Sequence, residues 1–534
     1  MVITRPQLVD VEENSWENNA SPVPTSSFNS NCNSDPNSTQ HASQARVLCQ
    51  LQRAEAWLDE KMGIETQGID RILEENKQPP SLLNMFLLWW SLTCHVGSLP
   101  IGMIGSELGL SFAQSVMAIT TGTMFGAICT AFCGSLGPKL GLRAIATARF
   151  SFGYYGTKFC SLLNVIIGIG YTTVNVVVVG QILSAVSDYK ISIIVGCVII
   201  SILGYLVSLF GFKIIHTYEK YSWISIFIVF CVLYSQVGHM VDLSYPATSK
   251  GLAHTGAFLS FLAINFSSSA TWSCIAADYY CNYPATTPSW KIWTLTYLGI
   301  VIPTVFANVL GACLGNIAFN ITSVSDAKVH TYAYPALAES YQEHGLGGIL
   351  RESYHPLWLS KIVLVLLVFS VLGNNVATNY SVGLSLQLMG AYFHAVPRFI
   401  WSLLIAFVAM VIATAGRESL STMVINFVSM LGYWSICFTF ILALEDKVFR
   451  RKSGYDLESW NVPSKLPWGI AAMTALLIGY LGGAVTGMAQ SWYIGPIARI
   501  FGSHGGDVGI YLTGILTAAV YLPARWYEFK ISHR

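Results

Sequence analysis

Charged side chains are scarce in this chain. Asp, Glu, Lys and Arg make up 11% of its 534 residues, well under half the roughly 25% of an ordinary soluble domain. Hydrophobic residues reach 53%, leaving too few polar groups to cover a water-facing surface. The formal net charge is only +1, so the broad basic field that nucleic acid binding needs is missing. The twelve cysteines show no CxxC spacing and lie mostly inside apolar runs, where they read as small buried hydrophobes rather than metal ligands. A P-loop lysine motif, a GxSxG elbow and a metal-spaced His or Cys cluster are also lacking. The expectation is a protein that is no enzyme and uses no metal or other cofactor.

What the chain has instead is apolar length. A membrane span needs about 20 consecutive apolar residues to cross a hydrocarbon core of roughly 30 Å, and such runs recur from Leu82 almost to the C-terminus. They predict spans near 82–105, 110–134, 156–186, 191–212, 221–238 and 256–277, then near 292–318, 357–386, 396–414, 421–444, 467–489 and 507–524. The expected architecture is an all-α polytopic membrane protein of about twelve helices over residues 81–527. Residues 1–80 form an N-terminal tail, rich in Asn, Ser, Pro and Thr up to about 44 and hence read as disordered. Within it, 46–62 read as a short amphipathic helix, and 528–534 form a C-terminal tail. The tail lacks the apolar core of a signal peptide.

Lys139, Arg143, Arg149, Lys213, Lys220, Lys291, Arg398 and the run Lys447 to Lys452 fall on connections of one side. The positive-inside rule then puts both termini in the cytoplasm. The connection 319–356 falls outside and carries the sequon Asn320-Ile321-Thr322, a glycosylation candidate. A lipid bilayer and a small polar solute are the partners this composition implies, and oligomeric state has no signature in it.

Two spans carry interruptions at matching places. The first has Gly97-Ser98-Leu99-Pro100 and the sixth has Phe266-Ser267-Ser268-Ser269-Ala270-Thr271. Breaks at corresponding positions of two halves point to an inverted five-plus-five repeat, two helices beyond it, and a solute site near the bilayer midplane. Polar groups inside spans mark the site further. The eighth span holds Asn374, Asn375, Thr378 and Asn379 within two turns, and a carboxamide presents donor and acceptor on one planar group. Trp272 follows the sixth-span break, and Tyr171 and Asn175 sit one turn apart in the third. Stacking faces plus a few edge-reading groups suit a flat polar solute. For ion coupling the candidates are His95 and Asp278, with Glu107 and Lys158 near span ends.

These residues resemble the nucleobase-cation symporter family, in its fungal purine-cytosine permease branch. The likeness rests on Trp89-Trp90-Ser91, Ala148-Arg149-Phe150, Ala270-Thr271-Trp272 through Asp278-Tyr279, Asn374-Asn375, Gly487-Met488-Ala489-Gln490 and Gly505-Gly506-Asp507, in that order from Gly63 onward. The resemblance implies a leucine-transporter-like fold, alternating access, and proton-driven import of cytosine or purines at the plasma membrane. It implies binding roles for Asn175, Trp272 and Asn374 or Asn375, with Ser91 or Ser98 in the first span. Two positions depart from the branch: Ala377 and Thr378 replace the Pro and Asn of Asn-Asn-Ile-Pro-Asn, and Tyr171 replaces a tryptophan. The chain is also similar to fungal pyridoxine transporters of the same family, so nucleobase and pyridoxine remain alternatives. A transport-inactive sensor on the same fold is the alternative of another class.

Overall fold

The computed structural model describes residues 68–209, 211–323 and 330–532. The tail before Gly68, with its expected amphipathic helix, lies outside them.

The first span is two helices, α1 (Leu82–Thr93) and α2 (Leu99–Glu107), meeting at a bend of 54°. Then come α3 (Phe112–Leu140), α4 (Arg149–Val186), α5 (Ile193–Leu209) and α6 (Gly211–Val237). The sixth span is again double, with α7 (Gly251–Ala270) and α8 (Ala276–Tyr280) joined by a 3-10 turn over Thr271–Cys274. The next spans are α9 (Ser289–Phe319), α11 (Leu357–Gln387), α12 (Arg398–Gly416) and α13 (Leu420–Leu444). The last two are α14 (Ile470–Ile478), continued by helical turns to Gly487, and α15 (Gly509–Ser532). Eight of these are long and apolar enough to cross a membrane and the bent first pair makes nine. With α5, the α7–α8 pair and α15 the described residues hold the expected twelve. The helix α15 runs on into the segment read as C-terminal tail.

Local chemistry sets the ends. Ser81 caps α1 by accepting from the Asn84 N–H, Ser111 and Gln114 form a reciprocal capping box at α3, and Gly141 closes α3 in the left-handed region (φ 65). Outward faces stay apolar, as at Phe125, Ile202, Phe407 and Val411, which suits a lipid surround because backbone polar groups are satisfied within each helix.

Three expectations are refined. Residues 68–80 belong to the folded body: Ile72 donates its N–H to Gly141 O at 2.9 Å, and Lys77 Nζ reaches Pro138 O at 3.2 Å. The connection 319–356 contains a short antiparallel hairpin of β1 (Ile321–Ser323) and β2 (His330–Tyr332), followed by α10 (Pro335–Ser353). The sixth-span interruption falls at Thr271–Ile275, later than its serine cluster. Ser267 Oγ donates to Ala263 O at 2.7 Å and Thr271 Oγ1 to Ser267 O at 2.7 Å, so these hydroxyls stay inside a continuous helix. Pro100 likewise occupies the first turn of α2, where its missing N–H costs nothing, and unwinding runs over Cys94–Ser98.

At the end of the bundle bearing the termini, α13 is strapped to α15. Arg525, fully buried, donates from Nε and Nη2 to the two oxygens of Glu445, each at 2.9 Å, while the Tyr521 hydroxyl adds a bond of 2.7 Å. At the other end Asp188, just past α4, accepts from Arg351 Nη2 at 2.9 Å on α10 and from Lys361 Nζ at 2.6 Å on α11. Bonds from Lys361 and Arg351 hold the Asp188 carboxyl below the usual carboxylate range. A lowered folded value makes this clamp fully present above the unfolded value of about 3.9 and lost as pH falls through the folded one. Asp188 has φ 54, a conformation asparagine tolerates equally. Asp188→Asn should therefore lower the melting temperature of purified protein slightly at pH 7, the difference vanishing in acid. An equal difference at pH 7 and in acid would show that charge is not the cause.

Candidate substrate site

Unwinding at Cys94–Ser98 frees backbone groups that lipid cannot satisfy. Side chains of the eighth span take them up. Asn374 Nδ2 donates to Leu92 O at 2.8 Å and the Val96 N–H to Ser370 Oγ at 3.2 Å. Within the break, Ser98 Oγ donates to Thr93 O at 3.0 Å and the Gly97 N–H to His95 Nδ1 at 3.2 Å. A Cβ at position 97 would lie 2.4 Å from Asn175 Oδ1 and 2.7 Å from the His95 ring, so any other residue there would push those side chains out of place.

Asn175 completes a buried cluster of three carboxamides. Its Nδ2 donates to Asn374 Oδ1 at 2.9 Å and to Asn375 Oδ1 at 2.8 Å, and His95 Nε2 lies 3.3 Å from Asn374 Nδ2. The two helices run in opposite directions, so Asn175 and Asn374 both sit one turn beyond a second pair, Tyr171 and Thr378, on the side away from the termini. Those two line a cavity together with Trp272, Thr271, Asn164, Ile167, Gly168, Ile275 and Val382. Its free volume is about 20 Å³, room for roughly one water. The Tyr171 and Trp272 rings stand 6.4 Å apart at 36°. A ring inserted between them needs about 3.5 Å on each face and more room than one water takes, so binding must part the two rings and turn them toward parallel. The carboxamides stand one helical turn from Tyr171 and Thr378 and do not line the cavity themselves.

The sequence-derived candidates thus divide. Tyr171, Trp272 and Thr378 line the cavity; Asn175, Asn374 and Asn375 form their own hydrogen-bonded cluster one turn away, which His95 touches. Ser98 serves the helix break, and Ser91 turns to α6, where its hydroxyl meets Ser222 at 2.5 Å. Asp278 lies toward the termini, accepting from the Ala144 N–H at 2.7 Å while Arg143 Nη1 donates to its backbone oxygen at 3.0 Å. Asn320 is 3% exposed, so a glycan would have to be attached before its segment packs. Asn164, two turns below Tyr171 on the same helical face, was not singled out by sequence. Its Nδ2 donates to Ser385 Oγ at 2.8 Å. The i, i+7 spacing from Tyr171 is the signal that points to it.

A family model described as permease for cytosine/purines, uracil, thiamine, allantoin matches residues 72–495. The chain belongs to this permease family. The vitamin B6 transporter TPN1 of Saccharomyces cerevisiae is 31% identical to it over 91% of this chain and 92% of that one. The purine-cytosine permease fcyB of Emericella nidulans is 33% identical over 89% and 91%. Among solved structures, Mhp1, a nucleobase-cation-symport-1 family transporter, closed with bromovinylhydantoin bound, matches with TM-score 0.64 at 14% identity, covering 88% of this chain and 96% of that one. A Na+-coupled sialic acid symporter matches at TM-score 0.56 and 13% identity, over 91% and 97%. The permease therefore has the leucine-transporter-like fold, with its broken first and sixth spans and two helices past the tenth. It is a multi-pass membrane transporter and not an enzyme.

Proposed function

We propose that this permease imports a planar nitrogen heterocycle together with a proton, by alternating access across the plasma membrane with both termini cytoplasmic. The observation that carries the reading is the cavity between Tyr171 and Trp272, with a cluster of three carboxamides one helical turn away that is bonded to the first-span break. A flat ring stacks between the aromatic faces, and its polar edge exchanges hydrogen bonds with Asn375, Asn374 and Asn175. Movement of the broken spans about this slot would expose it to either side in turn. His95 lies in hydrogen-bond reach of Asn374.

Both cytosine or a purine and pyridoxine satisfy these demands. One observation favours the single-ring vitamin. The two positions where the sequence departs from the purine-cytosine pattern, Tyr171 and Thr378, both line the cavity. A phenol replaces a larger indole, and a hydroxyl replaces a carboxamide. The test is uptake of labelled cytosine, adenine, hypoxanthine and pyridoxine across pH, in cells lacking their own permeases. Saturable uptake that rises in acid, with pyridoxine preferred, is expected. Absence of saturable uptake of all four would overturn the import reading, and ligand binding without flux in vesicles would favour a sensor.

A further inference from the structure

A second cavity, of about 300 Å³, lies at the end of the bundle away from the termini, between α2, α7, α13 and the connection 488–508. Its lining includes Glu107, His504, Ser260 and Asp507. The connection dips into the bundle, so Asp507 meets Tyr433, 13 residues or about 20 Å of helix from the outer end of α13. Two motifs that played no part in the substrate slot converge here, Gly-Met-Ala-Gln through Gln490 and Gly-Gly-Asp through Asp507.

Asp507 is 1% exposed and joins four elements. Its Oδ2 accepts from the Tyr433 hydroxyl on α13 and from Gln490 Nε2 at 3.2 Å, and its Oδ1 accepts from the Gly509 N–H at 3.0 Å at the start of α15. Its own N–H donates to Ser260 Oγ on α7 at 2.8 Å. Among the described residues no Lys or Arg pairs with it. The other titratable groups near it are Tyr433 on α13, Tyr511 on α15, Tyr480 against the Tyr433 ring, and Glu107 and His504 across the cavity. His254 on α7 is turned to Gln114 and Ser249. The cluster is short of one donor. Gln490 presents its Nε2 to Asp507 Oδ2 and to the Tyr433 hydroxyl, each at 3.2 Å, while its Oε1 is buried with no hydrogen-bond donor among the described residues, a situation that ordinarily costs about 1–3 kcal/mol. Adding a proton to Asp507 supplies that donor.

We infer that Asp507 is the carboxyl that binds the incoming proton during import, an assignment that rests on the proton-symport reading above. A hydronium ion in the outer cavity gives up its proton, which forms the O–H bond on Asp507 Oδ2 and leaves water behind. The protonated oxygen turns its hydrogen to Gln490 Oε1 and gives up the Tyr433 hydroxyl as donor. That removes the inner of two ties between α13 and the connection 488–508; the outer one, Asn426 Nδ2 to Ser491 Oγ at 2.7 Å and the Ser491 N–H to Asn426 Oδ1 at 2.9 Å, stays and becomes the pivot. On the same helix, Phe427 is in ring contact with Tyr171 of the slot at 6.5 Å, so release at Tyr433 reaches the substrate. Once the slot has turned to the other side, loss of the proton to water there restores the Tyr433 bond and completes one proton carried per cycle.

Asp507→Asn tests this in whole cells and in proteoliposomes. Exchange of labelled substrate across a loaded vesicle should persist, while accumulation against a gradient falls at least tenfold and uptake loses its pH dependence. Tyr433→Phe, which removes one donor to the carboxylate and keeps the ring, should shift the pH profile of uptake to higher pH. It also serves if Asp507→Asn fails to reach the membrane. Wild-type pH profile and accumulation in either variant, once it is at the membrane, would overturn the assignment. A wild type that carries none of the four heterocycles would overturn the import reading instead.

Discussion

Replacing Asn374 by alanine should reduce uptake by roughly a hundredfold while leaving the protein at the membrane in near-normal amount. Asn374 meets three partners at once. It donates to Leu92 O in the first-span break, accepts from Asn175, and lies 3.3 Å from His95. Truncation leaves the Leu92 carbonyl without its donor inside the bundle, a cost of about 1–3 kcal/mol, and opens the joint between the broken helix and α11. Tenfold in rate corresponds to about 1.4 kcal/mol, and loss of the ligand's edge contact adds to this. Asn374→Asp separates the two roles, because it keeps the oxygen that Asn175 needs but sets a carboxylate against a carbonyl. It should transport no better than the alanine variant. Asn375 only accepts from Asn175, so Asn375→Ala should lose about tenfold, mostly in KM. Equal and small effects at both positions would remove the carboxamide cluster from the mechanism. Initial rates of labelled uptake, normalised to surface protein, measure all three.

The twelve spans were legible because hydrophobic length is a one-dimensional property. The breaks were legible in existence and less so in place. Pro100 and the Ser267–Thr271 cluster look like helix breakers, yet proline is at ease in a first turn and hydroxyls can bond back to their own helix. Unwinding runs over Cys94–Ser98 and Thr271–Ile275, which overlap the expected breaks at Gly97-Ser98 and at Thr271. In the site, residue type singled out Asn175, Asn374, Asn375 and Trp272, but not which of them face a cavity. That depends on helix rotation and on the opposite directions of α4 and α11. Asn164 was hidden for a plainer reason: a single amide in an apolar run has no partner in sequence, and Ser385 lies 221 residues away. The outer cluster shows the same limit. Gln490 and Asp507 stood in separate motifs, and only folding of the connection 488–508 brings them to Tyr433.

Trp272→Ala should raise KM for the transported heterocycle by about 30- to 100-fold with a smaller change in kcat. One face of the bound ring rests on this indole, and aromatic pairing contributes about 0.5–1.5 kcal/mol beyond area. Burying roughly 50 Å² of ring face adds about 1.3 kcal/mol at the usual coefficient. The indole is itself held edge-on by Trp89 at 5.9 Å, and Trp89 Nε1 is fixed by the Tyr280 hydroxyl at 2.8 Å. The face is therefore set before the ligand arrives, so its loss is felt in binding more than in turnover. Trp272→Phe keeps a smaller face and should recover most of the affinity. The opposing wall gives the specificity half of the test. Tyr171→Trp enlarges the other face without touching Asn175 one turn away, and a two-ring purine gains more from a larger face than a pyridine does. The ratio of purine to pyridoxine uptake should then rise at least fivefold. A fall in both substrates alike would mean that Tyr171 only fills space, and the slot would have to be placed elsewhere.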